Sequence, residues 1–68
     1  MPSTVIRRFA HDPDTGDLIV EFTTGRVYVY AHVPTDEVEA FRAAFSKGSY
    51  FNQHIRDHYS FREIAVGR

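Results

Sequence analysis

Tyr28-Val29-Tyr30, followed by Val33-Pro34 and then by Ser46-Lys47-Gly48-Ser49-Tyr50-Phe51-Asn52, is the stretch that decides the fold. Side chains two apart on a strand point the same way, so residues 26 to 31 read as a strand with both phenols on one face and Val27 and Val29 on the other. A strand that is apolar on both faces belongs at the centre of a sheet or under a helix. Pro34 can open the next helix, because its missing N–H would have no partner in the first turn, and Asp36, Glu37 and Glu39 suit the positive end of the helix dipole. Val38, Phe41 and Phe45 fall on one stripe with Ala44 beside them. Gly48 reads as a left-handed stop and Ser49 as the cap of a second helix, whose Phe51, Ile55 and Tyr59 form an inward ridge.

Working outward, the first half of the chain alternates with period two and the second half with a period near 3.6. Residues 4 to 11 mix Val5, Ile6, Phe9 and Ala10 around Arg7-Arg8. Ile6 and Phe9 are three apart, so strict alternation cannot bury both and a bulge is expected. Asp12-Pro13-Asp14-Thr15-Gly16-Asp17 is dense in turn formers and reads as a hairpin loop. Leu18, Val20 and Phe22 then share one face, with Ile19, Glu21 and Thr23 on the other, before Thr24-Gly25 closes a second hairpin. Past the helices, Phe61 and Ile64 tack down a tail. The expected architecture is α+β: a three-stranded antiparallel meander followed by two short helices packed on one face, in a single domain spanning residues 1 to 68.

Composition narrows the functions open to the chain. A chain of 68 residues buries only about 60% of its unfolded surface, and its stability is on the order of 5 kcal/mol or less. Most of its six Phe and four Tyr are therefore needed in the core. The net charge of −1 provides no global field to draw a polyanion, leaving only local basic patches. Without cysteine there is no disulfide framework and no thiolate nucleophile, which suits a reducing compartment. Residues 1 to 4 carry no signal-peptide block and no run is long enough to span a bilayer, so the expectation is a cytoplasmic protein with no membrane contact.

The order and spacing of these pieces resemble the KTSC domain, named for its place at the carboxyl end of some lysyl-tRNA synthetases. The resemblance runs from about Ser3 to Ile64. It rests on Ser3, Leu18-Val20-Phe22, Gly25 before Tyr28 and Tyr30, Val33-Pro34, Ser46-x-Gly48, Tyr50-Phe51-Asn52, Ile55 and Tyr59. One departure is His11, where the pattern often has a tyrosine before the turn aspartate. The resemblance implies the α+β fold and suggests contact with RNA or tRNA, but it brings no established reaction and no cofactor. The synthetase body is absent from this chain, so that suggestion rests on association.

Two groups of residues are candidates for such contact. Tyr28 and Tyr30 can stack on unpaired bases, with Arg7, Arg8 or Arg26 touching phosphates. Alternatively both rings lie under the helices with each hydroxyl finding a polar partner, and the small size of the domain favours that core role. In that case the open sheet face carries Ile19, Glu21, Val27 and Val29, a surface suited to a protein partner or to self-association. The second group, Lys47, Ser49, Asn52 and Arg56 with Gln53 and Arg62, surrounds the turn between the helices and can meet a phosphate or backbone. A capped, solvated helix start is the simpler account of it.

His54 and His58 have the spacing at which two imidazoles can share a metal, but a third ligand would have to come from His11, His32, Asp57 or elsewhere, and solvent-facing histidines near a helix end are commoner. No metal is expected. Ser49 has no obvious base and no Gly-x-Ser-x-Gly or phosphate loop occurs, so no enzymatic activity is expected.

Overall fold

A computed structural model describes residues 6–64. Ser3, Thr4 and Val5 lie outside the described residues. The chain forms β1 (Ile6–Asp12), β2 (Asp17–Phe22), β3 (Val27–Tyr30), α1 (Thr35–Ala43), α2 (Lys47–Tyr50) running on into a π-helical turn (Phe51–Ile55), and β4 (Phe61–Ile64). The sheet has four antiparallel strands in the order β1-β2-β3-β4.

The fourth strand corrects the expected three-stranded meander. Residues 61–64 pair with β3, Tyr30 opposite Phe61 and Val27 opposite Ile64, and Ala31 N–H donates to Ser60 O at 2.9 Å where the ladder begins. Phe-Arg-Glu-Ile does not alternate with period two, so nothing local marks it as a strand. The need lies in β3, whose second edge would otherwise leave backbone groups unpaired. Its two-faced apolar pattern fits the central position it holds.

The loops follow their side chains. Asp12 Oδ1 accepts from Asp14 N–H at 3.0 Å, Thr15 Oγ1 accepts from Asp17 N–H at 3.2 Å, and Gly16 closes the turn at φ 83°. The register of β1 against β2 shifts between Ile6 and Arg8, the bulge that the spacing of Ile6 and Phe9 requires. Both then pack on the core. Val33 N–H donates to Gly16 O and His11 Nε2 donates to Val33 O, each at 2.9 Å, pinning the first hairpin to the chain leaving β3.

Leu18, Val20 and Tyr30 meet Val33, Val38, Phe41, Phe51 and Ile55 in the core between the sheet and the helices. Within the helical half, two expectations fail. α1 stops at Ala43, with Ala44 extended at φ −65° and ψ 140°, so Phe45 leaves the inward stripe and is fully exposed. Gly48 is not a left-handed stop but a buried residue inside α2. Ser46, three residues before Ser49, is the cap: its Oγ accepts from Ser49 N–H at 3.2 Å. A serine oxygen that satisfies an otherwise orphaned N–H fixes the helix start there.

The opposite sheet face differs from the exposed apolar surface expected there. Val27 and Val29 are 9% and 4% exposed, and Glu21 Oε1 accepts from Arg8 Nε at 2.6 Å. That face offers no apolar patch at β3 for a partner.

Candidate functional site

Alternation places Phe22, Tyr28 and Tyr30 on the helix-covered face, and β4 adds Phe61 beside them. The rings form a continuous wall. Centroids of Phe22 and Tyr28 are 5.5 Å apart, of Tyr28 and Phe61 5.5 Å, and of Tyr30 and Phe61 5.4 Å. Phe51, brought in by the π-helical turn, meets Phe22 and Tyr30 edge-on at 5.4 Å each. The π-turn is defined by Arg56 N–H donating to Phe51 O at 2.8 Å, a five-residue step; such turns recur at functional positions.

Between this wall and α2 lies a groove of about 640 Å³. Six of the eight residues singled out from the sequence line it: Arg26, Tyr28, Tyr30, Ser49, Asn52 and Arg56. Members of both groups of candidates, separate in the chain, thus line one groove. The other two stand apart. Lys47 turns back to donate from Nζ to Ala44 O at 2.7 Å, and Arg7, on β1, has its Nε 3.9 Å from Glu21 Oε2.

Tyr28 and Tyr30 are neither wholly core nor wholly platform. Tyr30 is 3% exposed and belongs to the core cluster, while Tyr28 is half-buried at its margin. Phe61 is 56% exposed and offers an open ring to the groove. Sequence reasoning missed Phe61 as a site residue because its strand was missed. Asp57, weighed from the sequence as a possible metal ligand, also lines the groove. Only the two-faced apolar pattern of β3, which asks for a strand on each side, hinted at Phe61.

The polar groups are unevenly committed. Arg26 lies 3.5 Å from Glu63 Oε1, an exposed pair of little energetic weight. Arg56 has no ion-pair partner among the described residues. Burial, then the neighbouring Tyr28, push the Tyr30 phenol up to about 12, with Arg56 acting in the opposite sense and Asp57 adding to the rise. Tyr50 donates to Glu37 Oε2 and Tyr59 donates to Glu37 Oε1 at 3.1 Å. The hydrogen bond to Glu37, followed by burial, holds the Tyr50 phenol at about 12.

The histidines are engaged separately. His54 stacks on Tyr50 at 4.4 Å, and His58 Nε2 donates to Gln53 O at 3.0 Å. Among the described residues no three His, Asp or Glu side chains gather as a metal would need. Among the described residues no histidine lines the groove, and Ser49 shares its lining with Asp57 but forms no side-chain hydrogen bond to it. The arrangement is suited to binding: an aromatic wall, a rim of hydroxyls and an amide, and two guanidinium groups.

Fold and groove together define a small α+β domain with an aromatic wall. The chain belongs to the KTSC domain family, whose model matches residues 2–59. It is 37% identical over 65 residues to an uncharacterized protein of Stutzerimonas stutzeri, covering 94% of this chain and 92% of that one. It is also 36% identical over 62 residues to the lysine–tRNA ligase of Nostoc punctiforme, covering 91% of this chain but 11% of the ligase's length. The crystal structure of a KTSC domain protein from Yersinia pestis superposes with a TM-score of 0.89 at 31% identity, over 96% of this chain and 92% of that one. No helix among the described residues is long and apolar enough to cross a membrane.

Proposed function

We propose that this domain is a non-enzymatic RNA-binding module, of the cytoplasm, whose groove receives unpaired nucleotides of a single strand or of tRNA. The observation that carries this reading is the convergence in one groove of Tyr28, Tyr30 and the exposed Phe61 with Arg26 and Arg56. Every base has a face that can stack on an aromatic ring, and guanidinium groups meet phosphates, so the pairing of the two residue types fits an unpaired strand. Similarity to a segment of a lysine–tRNA ligase supports tRNA as one such ligand. With a net charge of −1, binding is local, modest in affinity and strongly weakened by salt.

Titration of the isotope-labelled domain with single-stranded RNA and with tRNA at low salt tests this. Amide shifts should concentrate at Arg26, Tyr28, Asn52 and Phe61, and a spectrum unmoved by either RNA rejects the reading.

A second reading rests on β4. All four of its residues are exposed, and Phe61 and Ile64 are 56% and 36% exposed at the edge of the sheet. An open edge can accept a strand from a protein partner or a second copy. A concentration-independent monomer by sedimentation would count against self-association by that route.

A further inference from the structure

The groove continues past Phe61. Arg56, Asp57 and Phe61, which line it, also line a shallower depression of about 550 Å³ that extends over His58 and Ser60. Two concavities therefore share one ridge. On that ridge Arg56 has no ion-pair partner among the described residues.

Tyr30 lines the first of the two hollows only. The hydroxyls of Tyr50 and Tyr59 donate to Glu37, whereas that of Tyr30 has no partner among the described residues, although the residue is 3% exposed. Among the described residues no side-chain oxygen or nitrogen is both sealed from solvent and unpaired, so the Tyr30 hydroxyl opens onto the groove that Tyr30 lines. With its phenol held up to about 12, it stays protonated and donates at any physiological pH. The Tyr30 hydroxyl in the groove and the Arg56 guanidinium, which lines both hollows beside the Asp57 carboxylate, match a ligand with an anionic acceptor at its centre and a planar group on either side. A phosphodiester flanked by two nucleosides has that form. The centre of a peptide is a neutral amide, and a duplex keeps its base faces stacked away from Phe61.

Building on the RNA reading above, we propose that the site reads one nucleotide step of a single strand. One base lies against Phe61 in the groove, the phosphodiester sits on the ridge between Arg56 and the Tyr30 hydroxyl, and the next nucleotide occupies the shallow depression. Arg56 is the contact that gives this step its charge dependence, and Tyr30 gives it a neutral hydrogen bond.

The test compares the intact chain with its Tyr30→Phe and Arg56→Gln variants, using hexa-adenylate, adenosine monophosphate and an RNA duplex as probes. Tyr30→Phe keeps the ring in the core, so the variant should fold, which its amide spectrum verifies. Wild type should bind hexa-adenylate at least about tenfold more tightly than the monophosphate or the duplex. Tyr30→Phe should weaken hexa-adenylate binding about threefold to tenfold. Arg56→Gln should lower the slope of log affinity against log salt by about 0.7. If hexa-adenylate binds but both variants bind like wild type, or the duplex binds as well as the single strand, the nucleotide-step assignment is overturned while RNA binding stands. If none of the RNA probes binds at any salt concentration, both fall together.

Discussion

Tyr30 and Phe61 are cross-strand partners in β3 and β4, their rings 5.4 Å apart with planes 29° from parallel, and one is 3% exposed while the other is 56% exposed. The pair joins core to surface: Tyr30 anchors the wall and Phe61 carries it out to solvent. Replacing Phe61 with alanine should weaken single-stranded RNA binding by about tenfold through the lost stack. The same change should cost stability only about 1 kcal/mol. Anisotropy titration and urea unfolding of the same variant separate the two. Loss of stability without loss of binding would remove Phe61 from the site.

Glu37 accepts from two phenols, Tyr50 on α2 and Tyr59 beyond the π-helical turn, and so ties α1 to both. Glu37→Ala leaves both hydroxyls without that acceptor and should cost about 1–2 kcal/mol. A shift of the denaturation midpoint at unchanged m-value is the expected outcome. An unmoved midpoint would mean that solvent replaces the carboxylate without loss.

Phenols whose folded-state pKa is raised make stability fall at alkaline pH. Tyr30, raised mainly by burial, and Tyr50, raised mainly by its hydrogen bond to Glu37, both stand at about 12 against an ordinary 10.0. The folded state therefore holds protons that the unfolded chain releases. Their contribution is intact below pH about 10 and lost as pH rises toward about 12. Ultraviolet titration should show at least two tyrosines ionising only as the fold is lost, whereas four that ionise together near pH 10 in a folded chain would contradict these assignments.

Phe41 and Phe45 share a helical stripe by spacing, yet one is fully buried and the other fully exposed. Phe41→Ala removes the ring that packs against Phe9 at 4.3 Å and should cost about 3–5 kcal/mol, enough to leave a domain of this size largely unfolded. Phe45→Ala should stay within about 0.5 kcal/mol of wild type. Circular dichroism melts of the two check the contrast.

Gly16 and Gly25 both have positive φ, 83° and 95°. A Cβ at Gly16 would sit 3.1 Å from His32 Cα, whereas one at Gly25 meets nothing within 4 Å. Gly25→Ala should cost about 1 kcal/mol, from backbone strain alone. Gly16→Ala should cost more, because the strain adds to a backbone contact at the pin between the loops. Equal losses in thermal unfolding would mean that the His32 segment moves aside freely.

The first three strands, their turns and the facing of Leu18, Val20 and Phe22 were legible because each depends on side chains two apart and on turn residues beside one another. Period two and the Asp12–Asp17 cluster are local signals, and the bulge at Ile6 and Arg8 followed from spacing alone. The helical boundaries were less legible. Ser46 and Gly48 are both chemically able to punctuate a helix, and only packing decided that the chain would turn at Ala44 and bury Gly48.

Local pattern thus determined the α+β class, the core aromatics other than Phe45, and most of the residues that meet in the groove. Tertiary structure decided that they meet. β4 exists because β3 has a second edge to pair, a requirement set by backbone groups distant in sequence, and it places Phe61 beside Tyr30. The π-helical turn likewise brings Phe51 and Arg56 to the wall that the strands build. Hydrogen-bond pairing across a sheet and burial between layers act between remote segments, so no window along the chain contains them.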